Sequence, residues 1–146
     1  MKRFDFYLSY YSGILLLLLL FPALQGAAQP KWQEELLVAP DGSAYDQLGS
    51  SVATDGNRIV AGAPNDYAAG SISGGSAYVW QQSDTGWYAK KLLPTDSVTS
   101  FGERVAVYGD RVLVSAPGDS NSNGKKAGAV FLYTFDGQAW QGQRFL

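Results

Sequence analysis

The 146-residue chain contains no cysteine and no histidine. Without cysteine there is no disulfide framework, no thiolate metal ligand and no thiol nucleophile. Without histidine there is no imidazole ligand and no triad that uses imidazole as its base. Charge is sparse as well: Asp, Glu, Lys and Arg make up 16% of the residues, 11 basic against 13 acidic, for a net charge of −2. That balance lacks the basic footprint needed to neutralise phosphates, so nucleic acid is not an expected partner. Past the first 28 residues there is no 3.6-residue hydrophobic period to suggest a helix.

What is abundant points to strands. Hydrophobic residues reach 46%, with 17 Gly, 9 Tyr, 7 Phe and 4 Trp. Aromatic residues favour strands and glycine favours the tight turns between them, so an all-β fold is expected.

The N-terminus reads as an export signal. Lys2 and Arg3 precede an apolar block, Ile14 to Phe21, which Pro22 ends, and Gly26-Ala27-Ala28 supplies small residues for cleavage after Ala28. The block is well short of the ~20 residues a spanning helix needs, so a cleaved signal is favoured over a retained anchor. The expected location is therefore secreted or cell-surface, with no membrane span after cleavage.

The remaining chain repeats itself at an offset of 53. Over the 46 positions from Leu48 to Leu93 there are eleven ungapped identities with 101–146, among them Gly49 with Gly102, Pro64 with Pro117, Asp66 with Asp119 and Trp87 with Trp140. A partial upstream copy is marked by Trp32, whose step to Trp87 is 55. Each full copy reads as four short strands: Ser50–Thr54, Arg58–Ala61, Ser76–Gln82 and Trp87–Leu93, then the equivalents including Arg111–Val114, Ala129–Phe135 and Trp140–Leu146. Gly56-Asn57 and Gly109-Asp110 are hairpin turns, and the prolines end the second strands. Four antiparallel strands per repeat of about 50 residues predict β-propeller blades. A two-layer sandwich also fits the strand count, but it gives no reason for Gly, Pro and Trp to recur in register. The expected organisation is a signal over 1–28, the final strand and loop of a partial blade over 29–47, and full blades over 48–93 and 94–146.

These motifs resemble the FG-GAP repeat of integrin α heads and of many exported bacterial proteins. The Phe-Gly pair is intact at Phe101-Gly102 and relaxed at Leu48-Gly49, while Gly-Ala-Pro is intact at Gly62-Ala63-Pro64 and relaxed at Ser115-Ala116-Pro117. The resemblance implies blades of a seven-bladed propeller, extracellular and used in adhesion or ligand binding. The calcium loop of integrin-like members is not carried over, because Thr54–Arg58 and Val107–Arg111 are too short to supply its oxygens. Two blades and a spare strand do not close a ring, so the array is expected to continue in a longer protein or to be completed by self-association.

Few residues suggest chemistry. Asp119, Asn121 and Asn123, followed by Gly124, have the opening spacing of an EF-hand loop, but Ala127 and Val130 fall where further calcium ligands are needed. Calcium is thus the one candidate cofactor, and a flexible loop the favoured reading. Trp32, Trp87 and Trp140 are possible ligand contacts, for instance stacking on sugar, with inter-blade packing the simpler role. Asp66 and Asp119 are expected to close Asx turns, and Arg58 and Arg111 to be solvated beside their hairpins. Glu103 and Asp110 are carboxylates without a supporting motif, so no enzyme is expected. The function expected is an exported, non-enzymatic binding or adhesion module for an extracellular protein or glycan. Its alternatives are a propeller lectin using the tryptophans and an accessory domain of a secreted enzyme.

Overall fold

A computed structural model of the chain describes residues 33–67 and 74–146. The segment read as a signal and Trp32 lie outside these residues. Among the described residues there are eight strands and no helix, and so none long and apolar enough to cross a membrane. The strands are β1 (Val52–Thr54), β2 (Arg58–Ala63), β3 (Ser76–Ser83), β4 (Gly86–Leu92), β5 (Val105–Tyr108), β6 (Arg111–Ala116), β7 (Ala129–Phe135) and β8 (Trp140–Phe145). They form two antiparallel meanders, β1-β2-β3-β4 and β5-β6-β7-β8, which are the two propeller-type blades.

The second strand of each blade runs two residues further than the sequence suggests. Its last ladder pairs are Ala63 with Ser76 and Ala116 with Ala129. Pro64 and Pro117 follow, and with no N–H to donate they stop the ladder there. At the opposite end of the second blade, Tyr108 pairs with Arg111 across Gly109-Asp110, with Gly109 at a φ of +53°. A positive φ at the first central residue gives the turn a twist that suits the flanking strands.

The extra strand expected within 29–47 is not seen in the described part of that segment, residues 33–47. A strand persists only where a neighbour accepts and donates its backbone bonds, and no described strand pairs with this segment.

Residues Leu37–Leu146 form one compact unit containing both blades. Alternation of side chains gives each blade two faces. Val60, Ala77, Val79 and Leu92 of the first blade share a core with Val112, Val114, Ala116, Phe131 and Tyr133 of the second. The connector from β4 to β5 inserts Val98 and Phe101 into that core. The other face of the first blade packs Ala61, Ala63, Tyr78 and Trp80 against Leu37, Ala39 and Leu48, with Trp87 alongside. The other face of the second blade remains open, with Leu113, Val130 and Phe145 each more than 40% exposed.

Candidate functional site

The Phe-Gly and Gly-Ala-Pro motifs meet at the junction between the blades. Phe101 is fully buried, its ring edge-on to Phe131 and Tyr133 at centroid distances of 5.2 and 6.1 Å. Its N–H donates to the Gly74 carbonyl at 3.0 Å, and the Gly102 N–H donates to the Ser115 carbonyl at 3.0 Å. One turn thereby ties the first blade to the second. The approach is so close that a Cβ on Gly62 would lie 1.8 Å from the Gly102 carbonyl oxygen. Gly102 itself has a φ of +93°, and a Cβ there would lie 2.2 Å from the Ser76 carbonyl oxygen. Glycine at both positions is what lets the two backbones touch. In the upstream copy, the Gly49 N–H donates to the Gly62 carbonyl at 2.9 Å with nearly the same φ, +91°.

A second stitch lies at the other end of the same junction. Arg58, expected to be solvated, is buried. Its guanidinium donates to the Gly109 carbonyl and the Asp110 carboxylate, both at 2.7 Å, and lies 5.6 Å from the ring centres of Phe135 and Trp140. The next blade thus supplies a carboxylate, a carbonyl and two aromatic faces, which together replace water around the charge. Arg111 is exposed, as expected.

Asp119 does not close an Asx turn, since the Asn121 N–H donates to the Gly124 carbonyl, and the residue whose N–H would close one at Asp66 lies outside the described residues. Each is a buried carboxylate facing a cation on the fourth strand. Lys91 Nζ lies 2.8 Å from both Asp66 Oδ2 and Asp41 Oδ2. Ser76 Oγ donates to Asp66 at 2.6 Å, and the Tyr78 hydroxyl lies 2.7 Å from Asp41 and 2.9 Å from Asp66. Burial alone would push the Asp66 carboxyl up, but Lys91, Ser76 and Tyr78 outweigh it and hold it below the usual carboxylate value. Asp41 is lowered by its bonds to Lys91 and then Tyr78. Lys91 and Tyr78 are both raised, the two acids overcoming burial at Lys91 and reinforcing it at Tyr78.

In the second blade Arg144 takes the place of Lys91. It reaches Asp119 Oδ2 at 2.5 Å and Asp96 Oδ2 at 3.1 Å. Sequence reasoning missed both clusters, although the signal was present. The 53-residue offset places Lys91 on Arg144, and the 55-residue step that relates Trp32 to Trp87 also relates Asp41 to Asp96.

This use of Asp119 bears on the suspected calcium loop. The Asn121 amide donates to Asp119 Oδ2 at 3.2 Å and to the Gly128 carbonyl at 2.8 Å, while Asn121 Oδ1 accepts the Asn123 N–H at 2.9 Å. Asn121 thus turns its amide nitrogen rather than its oxygen toward Asp119, and a guanidinium already sits on the acid. Among the described residues no three acidic side chains are grouped to hold a metal ion. Glu103 and Asp110 are likewise apart in role: Asp110 pairs with Arg58, and Glu103 lies 3.8 Å from Arg104.

Of the tryptophans, Trp87 packs at the outer edge of the first blade's front cluster and Trp140 at the edge of the shared core. Trp140 also lines an inter-blade groove of about 350 Å³, together with Tyr88, Gln81, Gln82 and Gln138. This groove opens at the end carrying the hairpin turns. The loops joining second and third strands, 65–74 and 118–127, emerge at the other end; of the first, 68–73 lie outside the described residues. In the second loop the stretch 122–127 is exposed, including Lys125 and Lys126.

No curated protein matches the chain. The model of the FG-GAP repeat matches residues 32–80 and 89–133; the second match begins within β4, and the two end within the third strands β3 and β7. The second unit spans the junction, and so it contains the Phe101-Gly102 turn with the blade that turn anchors. The matches cover more than half of the sequence, and with this architecture the chain belongs to the FG-GAP repeat family.

Proposed function

We propose that this chain is an exported, non-enzymatic binding module of adhesive type, whose contact surface is the pair of loops 65–74 and 118–127. One observation carries the reading: the motif residues Gly62, Phe101, Gly102 and Ala116 are engaged where the blades meet, whereas within these loops only Asp66 and Asp119 agree between the copies. Their aspartates anchor each loop base through Lys91 or Arg144, leaving the tip free to vary. A rigid scaffold with variable loops suits recognition. The expected partner is an extracellular protein or a surface glycan, and the expected route is a signal cleaved after Ala28.

The test is capture of cell-surface ligands by the immobilised chain. Replacing 122–127 with a Gly/Ser stretch of equal length should abolish capture with the thermal midpoint unchanged. Equal capture after replacing both loops overturns the assignment. Mass spectrometry of the protein recovered from the medium tests export, with Gln29 as the expected N-terminus.

A further inference from the structure

We propose that the groove between β3–β4 of the first blade and the β7–β8 hairpin of the second binds the pyranose ring of a neutral saccharide. The inference rests on the reading of the chain as a binding module, and it adds a site at the opposite end of the sheets from the variable loops. The volume, about 350 Å³, falls within the range of small-ligand sites.

Two aromatic side chains line the groove. Tyr88 is 66% exposed, on a strand whose other face is packed, so its ring is open to a ligand. Trp140 is fixed in place by Arg58 at 5.6 Å and by the Phe135 ring at 5.3 Å. Rigid aromatic faces of this kind take up the apolar C–H face of a pyranose at little entropic cost. The polar lining is made of amides. Gln81, Gln82 and Gln138 each offer a carbonyl acceptor and two N–H donors, and none of these side chains bonds another described residue. Sugar hydroxyls are likewise donors and acceptors at once, so amides satisfy them in either sense.

The charges favour a neutral ligand. No acidic side chain lines the groove, and its one cation, Lys90, is exposed to solvent, where water screens it, so the lining does not require a charged ligand. Neighbouring Arg58 is already neutralised by Asp110 at 2.7 Å. A peptide strand fits less well, because Val79, Gln81, Tyr88 and Lys90 line the groove from the face of β3 and β4, whereas strand addition uses a sheet edge.

The experiment is a tryptophan-fluorescence titration of the full chain with glucose, galactose, mannose and N-acetylglucosamine, with glucuronic acid and N-acetylneuraminic acid as an acidic arm. At least one neutral sugar should give a saturable change, and Tyr88→Ala should weaken it about tenfold with an unchanged thermal midpoint. Gln138→Leu, on an exposed turn, should weaken it as well, whereas replacing loop 122–127 should not. Binding of acidic sugars alone, no binding of any neutral sugar, or full binding by Tyr88→Ala overturns the proposal. Capture of macromolecular ligands through the loops is read separately, so it can survive the loss of sugar binding or fail while sugar binding persists.

Discussion

The first blade surrounds Asp66 with an ammonium and two hydroxyls; the second surrounds Asp119 with a guanidinium and an amide. Four replacements go together. Ser76 becomes Ala129 and Tyr78 becomes Phe131, which removes both hydroxyl donors. Lys91 becomes Arg144, whose two terminal nitrogens divide between Asp119 and Asp96, and Asn121 adds an amide donor. A buried carboxylate is costly unless paired and hydrogen-bonded, but different donors can meet that need. The repeat therefore preserves the position of a buried charge rather than the identity of its partners. The outward faces differ in another way. Val60, Gly62, Ala77 and Leu92, which receive the second blade, correspond to Leu113, Ser115, Val130 and Phe145, each of them bulkier.

The comparison is most easily broken at the turn aromatics. Phe101 is fully buried between two blades, whereas its counterpart Leu48 is half-buried against one. Phe101→Ala should cost about 3–5 kcal/mol and Leu48→Ala only about 1–2 kcal/mol. Urea unfolding checks both. Equal losses would mean that the Phe-Gly turn stabilises its own blade alone and that the junction adds nothing.

The ion clusters give the next largest effect. Lys91→Met leaves the buried Asp66 without its cation and should cost roughly 2–4 kcal/mol. Arg144→Lys should also lower the thermal midpoint, because one ammonium would replace two separate donors where the hydroxyls are missing. The acid limb carries a sign that sharpens this. Asp41 and Asp66 sit below 3.8 in the folded chain, so the unfolded chain takes up protons first. Stability should hold above the ordinary carboxylate range, then fall as the pH drops through 3.8 toward the lower folded values. In Lys91→Met the burial that pushes Asp66 upward is opposed only by its two hydroxyl donors, and the acid limb should flatten. At alkaline pH the raised Lys91 and Tyr78 act in the opposite direction, with stability lost as the pH rises past 10.0. Thermal midpoints across pH check both limbs.

The four strands of each full blade, their order and their turns were legible because they depend on local features: alternation, glycine at positive φ and proline at a ladder end. The ion clusters were not, since Asp41, Asp66 and Lys91 are brought together from three segments by sheet packing. Arg58 was misread for a related reason. Its neighbours in sequence form an exposed turn, and its guanidinium is met by Gly109, Asp110, Phe135 and Trp140 of the next blade. The groove was half visible, as Trp140 stood out by recurrence whereas Tyr88 has Gln141 as its counterpart and left no repeat signal. The internal repeat reveals what every blade must keep, and a ligand site confined to one junction falls outside that set.

The smallest effects come from exchanging the two residues that open the Gly-Ala-Pro motifs. Gly62→Ser places a Cβ where the Gly102 carbonyl oxygen is 1.8 Å away, and both partners are backbone that cannot swing aside. The junction must open, at a cost of about 1–3 kcal/mol. The reverse change, Ser115→Gly, faces an exposed sheet and should cost less than about 1 kcal/mol, through added freedom in the unfolded chain and the loss of the Ser115 Oγ bond to the Arg104 N–H at 3.0 Å. The asymmetry follows from occupancy alone, because only Gly62 has a neighbouring turn on it. A Gly62→Ser variant that melts like the parent would show that the blades do not touch at this turn in solution. Should both changes cost the same, the outer face of the second blade would have to be covered in solution as closely as the first.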